Sequence, residues 1–159
     1  MTDGTTTSGV IVRPPYLFLG AMALGLVADR WIVPLDIFGA VSWAARQWMA
    51  AALVFCGVAA VVDCARRFRR AGTSVPTSSP TSAIVSSGLY RYSRNPIYVG
   101  LTMIHLGVAV SDNNAWLLIL LAPTLLILRY GVVAREEAYL ERRFGDGYRG
   151  YRARVRRWI

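Results

Sequence analysis

The sequence predicts an all-α integral membrane protein, a four-transmembrane-helix bundle with a cytosolic amphipathic C-terminal helical segment. Three observations lead there. Of 159 residues, 55% are hydrophobic, high for a soluble chain of this size. The apolar residues gather into four segments, at about 15–33, 47–64, 96–110 and 115–134. The 18 basic residues, all arginine, lie mostly between and after those segments, which a GC-rich coding sequence explains without any function.

Taken in order, residues 1–13 are rich in Thr, Gly and Ser and are expected to be mobile. The chain then reads as one domain, with its motif-bearing core at about 72–159. A bilayer core of about 30 Å asks for about 20 helical residues, so the first and fourth segments fit easily. The second and third are shorter and must tilt or snorkel. The first resembles a signal peptide in length, but it lacks a basic start beyond Arg13 and a small-x-small cleavage site, so it is expected to be retained. Cys56 and Cys64 share the second segment. Their spacing allows neither a bridge within a helix nor a metal site, and no metal is expected.

The stretch 72–87 is rich in Ser, Thr and Pro, so neither helix nor strand is expected there. It is either a linker or an extended segment lying across a ligand. In the tail, Leu140, Phe144, Tyr148, Tyr151, Val155 and Trp158 recur at steps of three and four, marking one helical face. Gly145, Gly147 and Gly150 are expected to break this element into two short helices. Its arginines suit anionic headgroups.

Charge orients the bundle. Arg66, Arg67, Arg69, Arg70, Arg91 and Arg94 lie between segments two and three, and eight arginines follow segment four. The other side carries Arg30 and Arg46, balanced by Asp29, Asp36 and Asp112. The positive-inside rule then places both termini and the middle loop in the cytosol, of a bacterial inner membrane by composition. A net charge of +9 spread between apolar runs points to membrane lipids as partners and away from nucleic acid.

Ionisable residues at helix ends in a membrane read as functional by default, and two clusters stand out. Asn95 and Pro96 suit the cap and first turn of helix three, and Asn95, Tyr98, Thr102 and His105 form a polar stripe along it. After segment four come Arg135, Glu136 and Glu137, with Arg129 seven residues before Glu136 and hence on one helical face.

The pattern Gly88-x-Tyr90-x-x-x-Arg94-Asn95-Pro96-x-Tyr98-x-Gly100, an apolar hairpin, then Glu136-Glu137-x-x-Leu140-x-x-x-Phe144-Gly145-x-x-Tyr148-x-x-Tyr151 resembles the isoprenylcysteine carboxyl methyltransferases, which are similar to phospholipid N-methyltransferases. The resemblance covers about residues 72–159. It implies an S-adenosyl-L-methionine site at the cytosolic surface, touching Ser82, Ala83, Ile84 and Val85, then Tyr90, then Arg94, Asn95, Pro96, Ile97 and Tyr98, with Glu136 as the acidic contact and Glu137 beside it. Two departures are visible. Asn95 stands where the family has His, and it cannot shuttle a proton. Val132 stands where eukaryotic members carry a substrate-binding arginine, leaving Arg129 or Arg135, with His105, nearer the acceptor.

The expected activity is therefore methyl transfer to a lipophilic acceptor, whether carboxylate, hydroxyl, thiol or amine. A glutamate suits the donor's ammonium, arginine its carboxylate and tyrosine faces its sulfonium. Two alternatives accompany it. Steroid-reductase-like NADPH enzymes have a similar Arg-His-Pro-Asn-Tyr, but they place Glu where this chain has Leu101. A non-enzymatic lipid-binding module is the other. Oligomeric state is open.

Overall fold

The structure, a computed structural model, describes residues 8–75 and 80–159; residues 1–7 and 76–79, which include parts of the expected mobile N-terminus and of the Ser/Thr/Pro-rich stretch, lie outside the described residues. Among the described residues the regular elements are all helical. They are α1 (Pro14–Trp31), α2 (Trp43–Arg70), a single 3-10 turn (Gly88–Arg91), α3 (Pro96–Asp112), α4 (Ala115–Ile127), a π-helical turn (Leu128–Val133), α5 (Ala134–Phe144) and α6 (Asp146–Arg154).

Local chemistry sets the boundaries. Pro14 and Pro96 open α1 and α3, where a missing N–H costs nothing. The Ser42 hydroxyl accepts from the Ala45 N–H at 3.3 Å to cap α2, and the Asn114 side chain accepts from Leu117 at 3.3 Å to cap α4. Asn113, at φ 56°, turns α3 sharply into α4. Helix α2 runs further at both ends than the apolar stretch implied. Its last turns are arginine-rich good helix formers, supported by the Asp63–Arg67 pair at 2.7 Å one turn apart. The tail forms two short helices as expected, α5 and α6, with the break at Gly145; α6 continues through Gly147 and Gly150.

α4, the π turn and α5 form one continuous helix, Ala115–Phe144. Within it the Ala134 N–H bonds the Arg129 carbonyl, five residues back. The extra residue in that turn rotates everything after it relative to an ideal helix.

Two helices, Trp43–Arg70 and Ala115–Phe144, are long and apolar enough to cross a membrane. Only 17% of the most apolar stretch of α2 is buried, and Trp48, Phe55 and Val58 on it are exposed. Soluble monomers rarely show such continuous apolar area, and it suits association with a membrane. α3 is shorter, at 17 residues, and the last turn of α1 carries Asp29 and Arg30.

α2 and α3 pack through glycine. A Cβ on Gly57 would sit 2.5 Å from the Gly100 carbonyl oxygen, and one on Gly100 would sit 2.8 Å from that of Gly57. Close backbone approach through small residues is how helices gain contact where no hydrophobic drive exists between them. α1 lies on α4, with Gly25 against Leu117. At one end the loop after α1 caps the α3–α4 turn, the Ala115 N–H bonding the Leu35 carbonyl at 2.8 Å. At the other end Ser8–Arg13 rests on the long helix: the Ile11 N–H donates to the Gly131 carbonyl at 3.3 Å, and Arg135 Nη1 donates to that of Gly9 at 2.8 Å.

Gly57→Leu is expected to lower the melting temperature of detergent-purified protein clearly, with an overpacking cost of about 1–3 kcal/mol or more. Gly20→Leu, on a face with open space around it, is expected to leave melting nearly unchanged; equal melting of the two variants would contradict the packing.

Candidate active site

Two adjacent carboxylates, Glu136 and Glu137, are buried in the first turn of α5, each 6% exposed. Buried charge is costly unless it is paired and hydrogen-bonded, and each acid has found partners from a different direction. Glu136 faces α3. The Tyr98 hydroxyl lies 2.8 Å from both of its carboxylate oxygens. Glu137 faces the chain terminus. Arg157 grips it with a fork, Nε to Oε1 at 3.0 Å and Nη2 to Oε2 at 2.6 Å, and Arg94 Nη2 reaches Oε1 at 3.2 Å.

The loop before α3 is held by the same terminal segment. The Arg94 N–H donates to the Arg156 carbonyl at 2.9 Å, and Asn95 Nδ2 to the Arg157 carbonyl at 2.9 Å. Asn95 therefore does not cap α3 with its side chain as expected; its carbonyl accepts from Tyr98 and Val99. The Tyr151 hydroxyl of α6 donates to the Tyr90 carbonyl at 2.8 Å, tying tail to loop. Tyr90 packs edge-on to Phe68 of α2, ring centres 5.6 Å apart.

These groups surround a cavity of about 60 Å³. Of the residues expected at the cofactor, Ala83, Ile84, Val85, Tyr90, Arg94, Asn95, Ile97, Tyr98, Glu136 and Glu137 line it. Ser82 is exposed and bonded to Gly72 and Thr73 instead. Pro96 belongs to the opposite side of the loop, against α2. The segment from Thr81 to Val85 forms one wall, its Thr81 N–H donating to the Tyr139 hydroxyl at 3.2 Å. The described part of that stretch has no helix or strand and reaches the cavity through Val75, Thr81, Ala83, Ile84 and Val85.

The three residues expected nearer the acceptor are not brought to the cavity. Arg129 is exposed with its guanidinium 5.4 Å over the Tyr130 ring. It shares no face with Glu136, because the π turn between them shifts the register. Arg135 is exposed and bonded to Gly9. His105 is fully buried between helices, its Nε2 2.8 Å from the Leu117 carbonyl and its ring edge-on to Phe18. It fastens α3 to α4.

Sequence reasoning missed Phe68, Val75, Thr81 and Leu140 in the lining, and it assigned Tyr148 and Tyr151 only to a lipid-facing stripe. Both tyrosines are buried cavity walls. Burial first, then the nearby Glu137 charge, pushes the Tyr148 phenol up to about 12, with Arg94 opposing. Burial likewise raises Tyr151 and Tyr90. The phenols thus stay neutral, and the ion pairs at the cavity join Glu137 to Arg94 and to Arg157. Arg94 is only partly spent: its Nε and Nη1 are buried with no hydrogen-bond partner among the described residues.

A family profile described as "Phospholipid methyltransferase" matches residues 45–147. An uncharacterized protein of Haemophilus influenzae is 38% identical over 65 residues, 40% of this chain and 100% of that one. No solved structure matches significantly.

Tyr98→Phe leaves the buried Glu136 carboxylate without its donor and is expected to cost about 1–3 kcal/mol of stability. Adding Glu136→Gln is expected to recover part of that loss. Thermal melts of the single and double variants check it, and additive losses would contradict the coupling.

Proposed function

The chain belongs to the phospholipid methyltransferase family, and on that footing we propose that it transfers a methyl group from S-adenosyl-L-methionine to a lipophilic acceptor at the cytosolic face of a membrane. The observation that carries this reading is the convergence of a carboxylate, Glu136, and an arginine with free donors, Arg94, on one tyrosine-lined cavity. An α-amino acid head asks for that pair of opposite charges side by side.

The residues fit the cofactor as follows. The Nε and Nη1 groups of Arg94, without partners among the described residues, offer charge-assisted hydrogen bonds to a carboxylate. Glu136 holds an ammonium while Tyr98 fixes its orientation. Tyr90 and Tyr98 offer electron-rich faces to a sulfonium. When bound, S-adenosyl-L-methionine would supply an activated methyl group to an in-line acceptor, with S-adenosylhomocysteine as the leaving group. The chain's part is then positioning, worth of order 7–11 kcal/mol in the best intramolecular comparisons. The chain has one histidine, and it is committed to Leu117. Asn95 cannot move a proton, so any proton the acceptor loses goes to Glu136 or to water.

A cavity of about 60 Å³ is well below the ~300–1,000 Å³ of ordinary ligand pockets, so one wall gives way on binding. The Thr81–Val85 wall is the softest, since it has no helix and hangs on side-chain contacts to Tyr139 and Ser74. In this reading α1 to α4 all span the membrane as a four-helix bundle. Both termini and the cavity lie on the arginine-rich side, in the cytosol of a bacterium with this as an inner-membrane protein.

Isothermal titration of detergent-purified protein with S-adenosylhomocysteine is expected to show binding, weakened at least about tenfold by Glu136→Ala and by Arg94→Ala. His105→Asn is expected to lower stability without changing that affinity. Folded wild-type protein that takes up no ligand at about millimolar concentration, a very weak Kd, would overturn the reading. Lipid mass spectrometry on overexpressing cells, seeking a species heavier by one methylene, identifies the acceptor.

A further inference from the structure

The segment after α6 lies beyond the residues that the family profile matches, which end at 147, yet it makes the closest contacts to the site. Arg157 occupies both oxygens of Glu137, at 3.0 and 2.6 Å. Its own carbonyl accepts from Asn95 Nδ2, and the neighbouring Arg156 carbonyl accepts from the Arg94 N–H. Arg94, on the same carboxylate, reaches it only through Nη2, at 3.2 Å. Its Nε and Nη1 have no hydrogen-bond partner within bonding geometry among the described residues, although the side chain is only 9% exposed.

Such an arrangement is unusual for an arginine beside a buried acid. The favoured geometry is two parallel N–H···O bonds between guanidinium and carboxylate. Arg94 could reach it only by turning Nε together with Nη2 onto Glu137. What blocks that turn is that Arg157 already fills the carboxylate with its own fork. A buried donor left unmade is costly, so the unpaired Arg94 Nε persists because a competitor holds the acid and the tail pins the backbone.

We infer that Arg157 is a positioning residue for the cofactor: by occupying Glu137 it keeps the Nε and Nη1 donors of Arg94 free to receive the carboxylate of the ligand. The inference rests on the methyltransferase reading for the identity of that ligand. Its geometric half, that the terminal segment fixes the Arg94–Asn95 backbone, does not. Without Arg157 the Arg94 guanidinium forks onto Glu137, and an incoming carboxylate finds its partner taken.

The test uses the full chain in detergent with two probes, S-adenosylhomocysteine, which carries the carboxylate, and methylthioadenosine, which lacks it. Arg157→Ala is expected to weaken the first at least about tenfold, as for loss of a charged hydrogen-bonded partner, and the second less than about twofold. Adding Glu137→Gln, a neutral amide that no longer captures Arg94, is expected to restore most of the affinity for S-adenosylhomocysteine. A merely structural role for Arg157 would weaken both probes alike and would not be rescued. Equal losses, or no rescue, overturn the inference. Hydrogen exchange of the peptide spanning residues 90–98, without ligand, separates the two claims. It is expected to quicken in Arg157→Ala and not in Arg154→Ala, a change at an exposed arginine. If wild-type protein binds neither probe but exchange quickens, the cofactor reading falls and the pinning of the loop stands. Unchanged exchange overturns the pinning as well.

Discussion

A carboxylate buried at the end of a long apolar helix has to be satisfied from outside that helix, and the architecture around the candidate site follows from meeting this demand twice. Glu136 and Glu137 are consecutive, so they leave α5 in different directions and recruit different partners. Glu136 draws in the Tyr98 hydroxyl and with it the first turn of α3. Glu137 draws in Arg157 and Arg94, and hence the tail and the loop before α3. The cavity lies among the groups that meet this double demand.

The helix packing makes those approaches possible. Glycines at 57 and 100 let α2 and α3 touch backbone to backbone, which fixes the height at which Tyr98 emerges. The His105 bond to the Leu117 carbonyl then holds α3 against α4, two turns deeper than Tyr98. The π turn at Leu128–Val133 adds the remaining adjustment. It rotates α5 so that both acids point inward while Arg129 points out, a placement that an uninterrupted α-helix would not give.

Much of this was legible in the sequence, and what was not has identifiable causes. Tyrosine and glutamate at matching ends of two apolar helices pointed to the Tyr98–Glu136 meeting, while most of the cavity wall was anticipated only through the family resemblance carried by the two motifs. The π turn was invisible, because five-residue hydrogen bonding leaves no periodic signature in a stretch of six residues. That single miss carried Arg129 to the wrong face. Arg157 was indistinguishable from the other arginines of the tail, since its role depends on a fork to an acid twenty residues earlier. His105 sat on the polar stripe and was expected nearer the acceptor, yet a buried imidazole is satisfied as well by a neighbouring carbonyl as by a ligand. Tyr148 and Tyr151 fitted a helical stripe, and periodicity does not say whether a stripe meets lipid or protein.

The central claim is that the Tyr98 end of α3 and the Glu136 end of α5 together enclose the methyl donor. Ultraviolet photolabelling with radiolabelled S-adenosyl-L-methionine, followed by peptide mapping, addresses it directly. The expected result is label confined to peptides covering residues 81–98 and 136–151, suppressed by excess S-adenosylhomocysteine. Label on α1 or on the α3–α4 turn, or label that S-adenosylhomocysteine does not displace, would contradict the account.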